Sequence, residues 1–331
     1  MKRWLKSILL GCVVLSLISF SIAGFYTYNF LTKPMVTGNQ SVTISINKNT
    51  SASSLAHMLE SKHLIQSSRL LLLVIRVKGF APHLKAGVYE ILPGENVQQF
   101  LSKVVTGQVL VQSFSIIEGT TANQVKANLA NAQFLNYNNS DWLVIGGDYS
   151  NPEGLLLADT YNYDAGSDAK LLLQLANKKL LQFLNDSWRT RSTGLPYKSP
   201  YELLIVASIL EKESSLPEER KLIAGVVVNR LKKNMPLQMD PTVIYALGPN
   251  YHGKLMHGDM AVDSPYNTYR YRGLPPTPIA MVGKDAIDAA AHPQVTDYLY
   301  FVAKGDGSHH FSVNYEEQKK AISQYKIKGP S

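Results

Sequence analysis

The sequence predicts an α+β protein in three parts: one N-terminal transmembrane helix, a small α+β module, and a larger helix-rich domain with a C-terminal β-hairpin. Three observations lead there. An unbroken apolar run opens the chain, a strand, turn and helix pattern recurs three times behind it, and helical periodicity then dominates until two short alternating segments near the end. The expected boundaries are 1–33 for the tip and anchor, 34–131 for the membrane-proximal module and 132–331 for the remaining domain.

Lys6 and Lys33 bracket 26 residues, 7 to 32, without a charge and rich in Leu, Ile, Val and Phe. That length spans a bilayer. Lys2, Arg3 and Lys6 precede the run and only Lys33 follows closely, so the basic bias keeps the N-terminus cytoplasmic and sends residues from about 34 onward across the membrane. Tyr26, Tyr28 and Phe30 suit the far interface. Ser21-Ile22-Ala23 resembles a cleavage site and supplies the competing reading of a signal peptide, against which the length of the run favours a retained anchor. Cys12, the single cysteine, lies inside the run, so the exported part has no disulfide, thiolate metal site or cysteine nucleophile. The net charge of +8 includes three cations ahead of the anchor and leaves a mild excess that suits anionic wall polymer or lipid headgroups. No clustered basic stripe for nucleic acid is present, and export argues against that partner.

The three repeats begin at Val42–Ile46 with a helix near 54–60, at Gly87–Ile91 with a helix near 97–105, and at Phe114–Ile117 with a helix near 122–130. Asn49-Thr50, Pro93-Gly94-Glu95 and Glu118-Gly119-Thr120 supply turns. Each pair can bury one face only, so the units are expected to pack together over roughly 40 to 130. Beyond them, helices are expected near 168–186, 200–214, 217–233 and 241–247, the last opened by Asp240 as N-cap with Pro241 and closed by Gly248. Tyr298–Ala303 and His309–Val313 read as a hairpin around Gly305-Asp306-Gly307-Ser308. The loop holding Tyr266–Tyr269 and Gly273–Pro276 is dense in hydrogen-bonding and aromatic groups, as binding loops are.

Ser199-Pro200-Tyr201-Glu202 is a helix start, and the LLIVASIL run after it is apolar nearly all round, which marks a buried helix. It ends in Glu211-Lys212-Glu213-Ser214. A carboxyl held at the end of such a helix is poorly solvated, keeps its proton near neutral pH and can act as a general acid. Glu211 and Glu213 compete for that role, because residues two apart point about 200° away from each other and only one can face a given cleft. Glu211 continues the stripe of Leu204, Ala207 and Ser208, whose small residues would leave room for a ligand; Glu213 lies closer to the turn at Ser214, Ser215 and Pro217. The competing explanation is that both are helix-end charges paired with Lys212, Arg220 or Lys221. Geometry alone leaves the choice open.

Six runs in order, ASILEKES at 207–214, VVVNRL at 226–231, LQMDPTVIYALG at 237–248, PYNTYRYRGLPPTPIA at 265–280, AAAHP at 289–293 and YLYFVAKGDGSHHFS at 298–312, closely resemble the YceG-like (MltG) family of endolytic murein transglycosylases. The anchor and a LysM-like module, which the repeats at 42 and 114 look like, also suit that family; residues 132–196 carry the resemblance weakly. The resemblance implies that Glu211, the first acid of the EKE run, is catalytic. It further implies a lyase that cleaves the MurNAc-β-1,4-GlcNAc bond within nascent peptidoglycan glycan strands. The muramoyl 6-hydroxyl attacks its own anomeric carbon and leaves a 1,6-anhydro end, which terminates strand elongation. An intramolecular nucleophile needs no second carboxylate. The implied setting is the cell inner (cytoplasmic) membrane, single-pass, with the catalytic domain extracytoplasmic and penicillin-binding protein synthases as partners. No cofactor is expected.

Gln238, Asp240, Asn267, Thr268 and Tyr269 are the expected substrate contacts: amides and hydroxyls suit acetamido and hydroxyl groups, and a tyrosine face can stack on a pyranose. For Asp240 an N-cap role competes. Asn229 and Arg230 are expected to fix the helix or an ion pair. His309 and His310 point to opposite faces of a strand, and no third ligand at metal spacing accompanies them, so no metal is expected. Met239 departs from the family pattern, where a small polar residue precedes the aspartate, and its exchange is expected to alter how a subsite grips sugar. Two other classes stay open: a hydrolase pairing Glu211 with Asp240 or Asp263, and a catalytically silent wall-binding protein.

Overall fold

A computed structural model of the chain describes residues 2–145, 149, 151–214 and 216–326. Its contacts divide it into two compact units, the first comprising residues 1–112, 133–135 and 162–167, the second 113–132, 136–161 and 168–331. The α+β class expected from the sequence is observed.

In the first unit, α1 (Lys2–Thr32) carries the apolar run. Its stretch Ile8–Thr32 has mean hydropathy 2.4 and 25 residues, a rise of about 37 Å against roughly 30 Å of bilayer hydrocarbon. By length and composition it can cross a membrane. β1 (Val42–Ile46) pairs antiparallel with β2 (Gly87–Ile91), with Val42 opposite Ile91 and Ile46 opposite Gly87. Ile44, Ile46, Tyr89 and Ile91 are buried from the sheet. α2 (Ala52–Ser61), α3 (Ser68–Val77) and α4 (Val97–Thr106) cover them. Each start is chemically marked: Ser51 accepts from Ser54 N, Ser67 from Leu70 N, and Asn96 and Gln99 form a reciprocal box. Phe30 and Met35 belong to the same core, so the end of α1 is built into the module.

β3 (Val111–Ser115) pairs with β4 (Thr160–Asp164), and the division between the units runs through both strands. β3 starts and ends earlier than the alternation at 114–117 suggests. α5 (Ala122–Ala130) follows it. Residues 113–132, the third strand and helix repeat, pack within the second unit and not with the first two. Ile116 N donates to Asp159 O, Gly119 N to Met281 O and Met281 N to Thr120 O.

The second unit is built around α7 (Pro200–Glu213), whose residues Leu203 to Leu210 are all buried. Ser199 caps it and accepts from Glu202 N, while the Glu202 carboxylate reaches Lys198 N and not the cap residue. Around it lie α6 (Ala169–Thr190), α8 (Pro217–Lys232), α9 (Asp240–Leu247) and α10 (Lys284–Ala291). The hairpin of β5 (Tyr300–Ala303) and β6 (His309–Ser312) sets Phe301 opposite Phe311. Gly305 and Gly307 take φ of 89° and 88° at its tip, where only glycine is unstrained. α11 (Tyr315–Lys326) closes the described chain. Ser215, in the turn expected after α7, lies outside the described residues.

Candidate active site

The two glutamates at the end of α7 have different neighbours. Glu211 has a side chain 2 % exposed and is fully engaged. Its Oε1 lies 3.1 Å from Arg220 Nη2, and its Oε2 accepts from Gly283 N at 2.8 Å. Arg220 Nη2 also donates to Ser214 O at 3.1 Å, so the pair clamps the turn that follows α7. Burial raises the pKa of Glu211, against the opposing pull of the Gly283 N–H and Arg220; the charges of Glu118 and Asp285 add to the rise. The space beside Ala207 and Ser208, expected to admit a ligand, is filled by the chain's own segment 279–283. There Ile279 N donates to Ser208 Oγ at 3.0 Å and both residues are buried.

Glu213 is differently placed. Burial, with the neighbouring Asp240 charge, pushes its pKa up to about 8. The negative end of the α7 dipole acts in the same direction. Among the described residues its buried Oε2 has no hydrogen-bond partner. Tyr269 completes the group: its hydroxyl donates to Asp240 Oδ1 at 2.5 Å, and the Asp240 and Glu213 charges both raise its pKa after burial does.

Of the expected substrate contacts, Gln238 and Asp240 are exposed and Tyr269 is half-buried. Asp240 is the first residue of α9 and not its N-cap, which is Met239; the aspartate is thereby free to pair with Tyr269. Asn267 and Thr268 are buried and spend their polar atoms inside the loop. Asn267 Nδ2 donates to Met260 O and Val262 O, and its Oδ1 accepts from Tyr269 N. Thr268 Oγ1 accepts from Met239 N and bonds Thr242 Oγ1. They shape the loop that presents Tyr269 and do not face solvent. Met239 is 1 % exposed in the apolar core and touches no open subsite.

Among the described residues Arg230 makes no ion pair. It donates to the carbonyls of Leu299, Pro236 and Leu237 and to Gln238 Oε1, fixing Gln238 beside the site at a φ of 53°. Asn229 likewise holds Thr296 O and Tyr298 O. His309 binds Glu219 through Nδ1 at 2.7 Å, while His310 faces the Tyr325 ring. No cluster of three metal-ligating side chains occurs among the described residues. One buried acid escaped the sequence reading: Glu153 accepts from Ala122 N and Tyr245 OH, and burial raises its pKa. It lies in an Asn-Pro-Glu-Gly turn that reads as surface.

The YceG-like family model matches residues 44–324, most of the chain. This chain belongs to the YceG-like family. A Bacillus subtilis protein named endolytic murein transglycosylase is 30 % identical over 92 % of this chain and 91 % of its own length. A Streptococcus pneumoniae protein of the same name is 25 % identical over 92 % of this chain, which spans 63 % of that protein. Among solved structures, the 2.6 Å crystal structure of a yceG-like protein from Listeria monocytogenes is 30 % identical with a TM-score of 0.52, covering 86 % of this chain and 99 % of its own.

Proposed function

We propose that the chain is a membrane-anchored endolytic lytic transglycosylase, a lyase acting on peptidoglycan, with Glu213 as its acid. The observation that carries this reading is a buried carboxyl with a pKa near 8, set beside Asp240 and Tyr269, with an oxygen that has no hydrogen-bond partner among the described residues. Support comes from relatives named endolytic murein transglycosylase. The resemblance of the EKE run points to Glu211, but both oxygens of that group are already taken by Arg220 and Gly283 N.

In the reaction, protonated Glu213 gives its proton to the glycosidic oxygen between N-acetylmuramic acid and N-acetylglucosamine. The muramoyl 6-hydroxyl bonds to the anomeric carbon as the leaving sugar departs, and its proton passes to the Glu213 carboxylate. No water is consumed, and one carboxyl serves both steps. Gln238, Asp240 and Tyr269 are the sugar contacts; Asn267 and Thr268 hold the loop. Residues 1–33 hold the enzyme in the cytoplasmic membrane with its N-terminus inside. The LysM-like module of 34–131 and the catalytic domain of 132–331 lie outside, where nascent strands and penicillin-binding protein synthases work.

The test is to incubate the full chain and its Glu213→Gln and Glu211→Gln variants with un-crosslinked nascent peptidoglycan and identify product ends by mass spectrometry. The expected result is 1,6-anhydromuramoyl ends from wild type, a loss of roughly 10²- to 10⁴-fold for Glu213→Gln, and slowed but real cleavage by Glu211→Gln. Activity kept by Glu213→Gln and lost by Glu211→Gln would move the acid to Glu211. Products heavier by one water would mean a hydrolase.

A further inference from the structure

α3 carries the sequence SRLLLLVIRV and buries Ser68, Leu71, Val74 and Ile75 in the core of the first unit. Its opposite side presents Arg69, Leu73, Arg76 and Val77, spaced i, i+4, i+7 and i+8, so they form one stripe along the helix. A helix facing water ordinarily places polar groups there. Here Leu73 is 54 % and Val77 79 % exposed, flanked by two exposed arginines. Lys78 follows, its Nζ 5.7 Å over the Phe80 ring. No acidic residue occurs between Glu60 and Glu90, and from Lys33 to Gln112 there are eight lysines and arginines against three glutamates.

The place of this stripe gives it a partner. Leu64 and Ile65, in the turn ahead of α3, share a cavity of about 560 Å³ with Phe30 and Lys33 at the end of α1. The chain passes from α1 into the module without a slack linker: Met35 N donates to Glu95 O and Gly94 N to Val36 O. A module fixed in this way meets the bilayer surface at high effective concentration, so even a weak patch is occupied. Leucine and valine enter the boundary between headgroups and acyl chains, while arginines beside them meet lipid phosphates.

We propose that the α3 stripe of Arg69, Leu73, Arg76 and Val77 docks on the anionic phospholipid surface beside the anchor and holds the module down on the membrane. The inference rests on the reading of α1 as a membrane span. Its test uses the full chain with Cys12→Ser and a single environment-sensitive fluorophore on Val77→Cys or, as control, Asn47→Cys. Each is reconstituted in phosphatidylglycerol-containing or pure phosphatidylcholine vesicles.

With anionic lipid, the probe at 77 shifts to the blue and iodide quenching falls by roughly threefold or more, whereas the probe at 47 stays open to iodide. Arg69→Glu with Arg76→Glu restores quenching at 77. Equal quenching at 77 in both lipids, or no effect of the charge reversal, overturns the docking. Shielding at 77 already present in detergent overturns it in favour of a second protein on this face. Flotation and resistance to alkaline carbonate, read on the same samples, separate the two ideas: a chain that floats with 77 quenched keeps its anchor and loses only the docking, and one that carbonate strips loses both.

Discussion

Glu211 and Glu213 are the same residue two positions apart, and their difference lies wholly in what the surrounding chain offers. Glu211 meets a guanidinium and a backbone N–H; Glu213 meets an aspartate and a tyrosine. The Glu213 environment favours the protonated form, so the folded protein holds that proton more tightly than the unfolded chain between the ordinary value of 4.5 and about 8. Its contribution to stability is therefore full below the lower value and lost as pH rises through the upper one. Glu213→Gln keeps the shape and removes the titration. The melting temperature of the variant, measured by calorimetry, is expected to gain several degrees relative to wild type between pH 5 and pH 9. A constant difference across that range would mean that Glu213 does not titrate there.

At the scale of elements, the site depends on how α8 lies against the segment that leads into the hairpin. Gln294 N donates to Lys221 O, and Asn229 and Arg230 hold the carbonyls of Thr296, Tyr298 and Leu299. Gly225 lets the two approach: a Cβ there would sit 2.4 Å from Gln294 O and 2.8 Å from Thr296 Cγ2. In an open helix Gly→Ala gains about 1 kcal/mol. Here the clash is with backbone, so Gly225→Ala is expected to cost about 1–3 kcal/mol and to lower the melting temperature by several degrees. Because Arg230 also fixes Gln238, activity should fall with it. A variant that melts at or above wild type would show that the segment yields freely.

Across the whole molecule, the end of α1 is also a structural part of the first unit. Phe30 is 8 % and Met35 6 % exposed within its core. Burial of each such side chain contributes about 1.5–3 kcal/mol, so a fragment that begins at residue 40 should unfold earlier than one that begins at residue 24. The comparison is by thermal unfolding in the same detergent. Equal melting would mean that the module core closes without them.

Much of this was legible in the order of residues. The uncharged run marked α1, alternation placed β1 and β2 at their observed bounds, and Ser199-Pro200 marked the start of α7, because these signals act within a few residues. α3 was not legible: LLLLVI reads as a continuous apolar block, and its buried and exposed faces differ only by what packs on them. For the same reason Asn267 and Thr268 read as sugar contacts, although their bonds are made inside the loop with partners up to 29 residues away. By itself the sequence determined an apolar helix long enough to cross a membrane, the α+β class and a pair of carboxyls at the end of a buried helix, since length, periodicity and spacing are local properties. Only the tertiary structure decided what surrounds each of those carboxyls. Segment 279–283, some 70 residues on, packs against Ser208 and Glu211, fills the face that small residues had marked as free, and leaves Glu213 desolvated beside Asp240 and Tyr269.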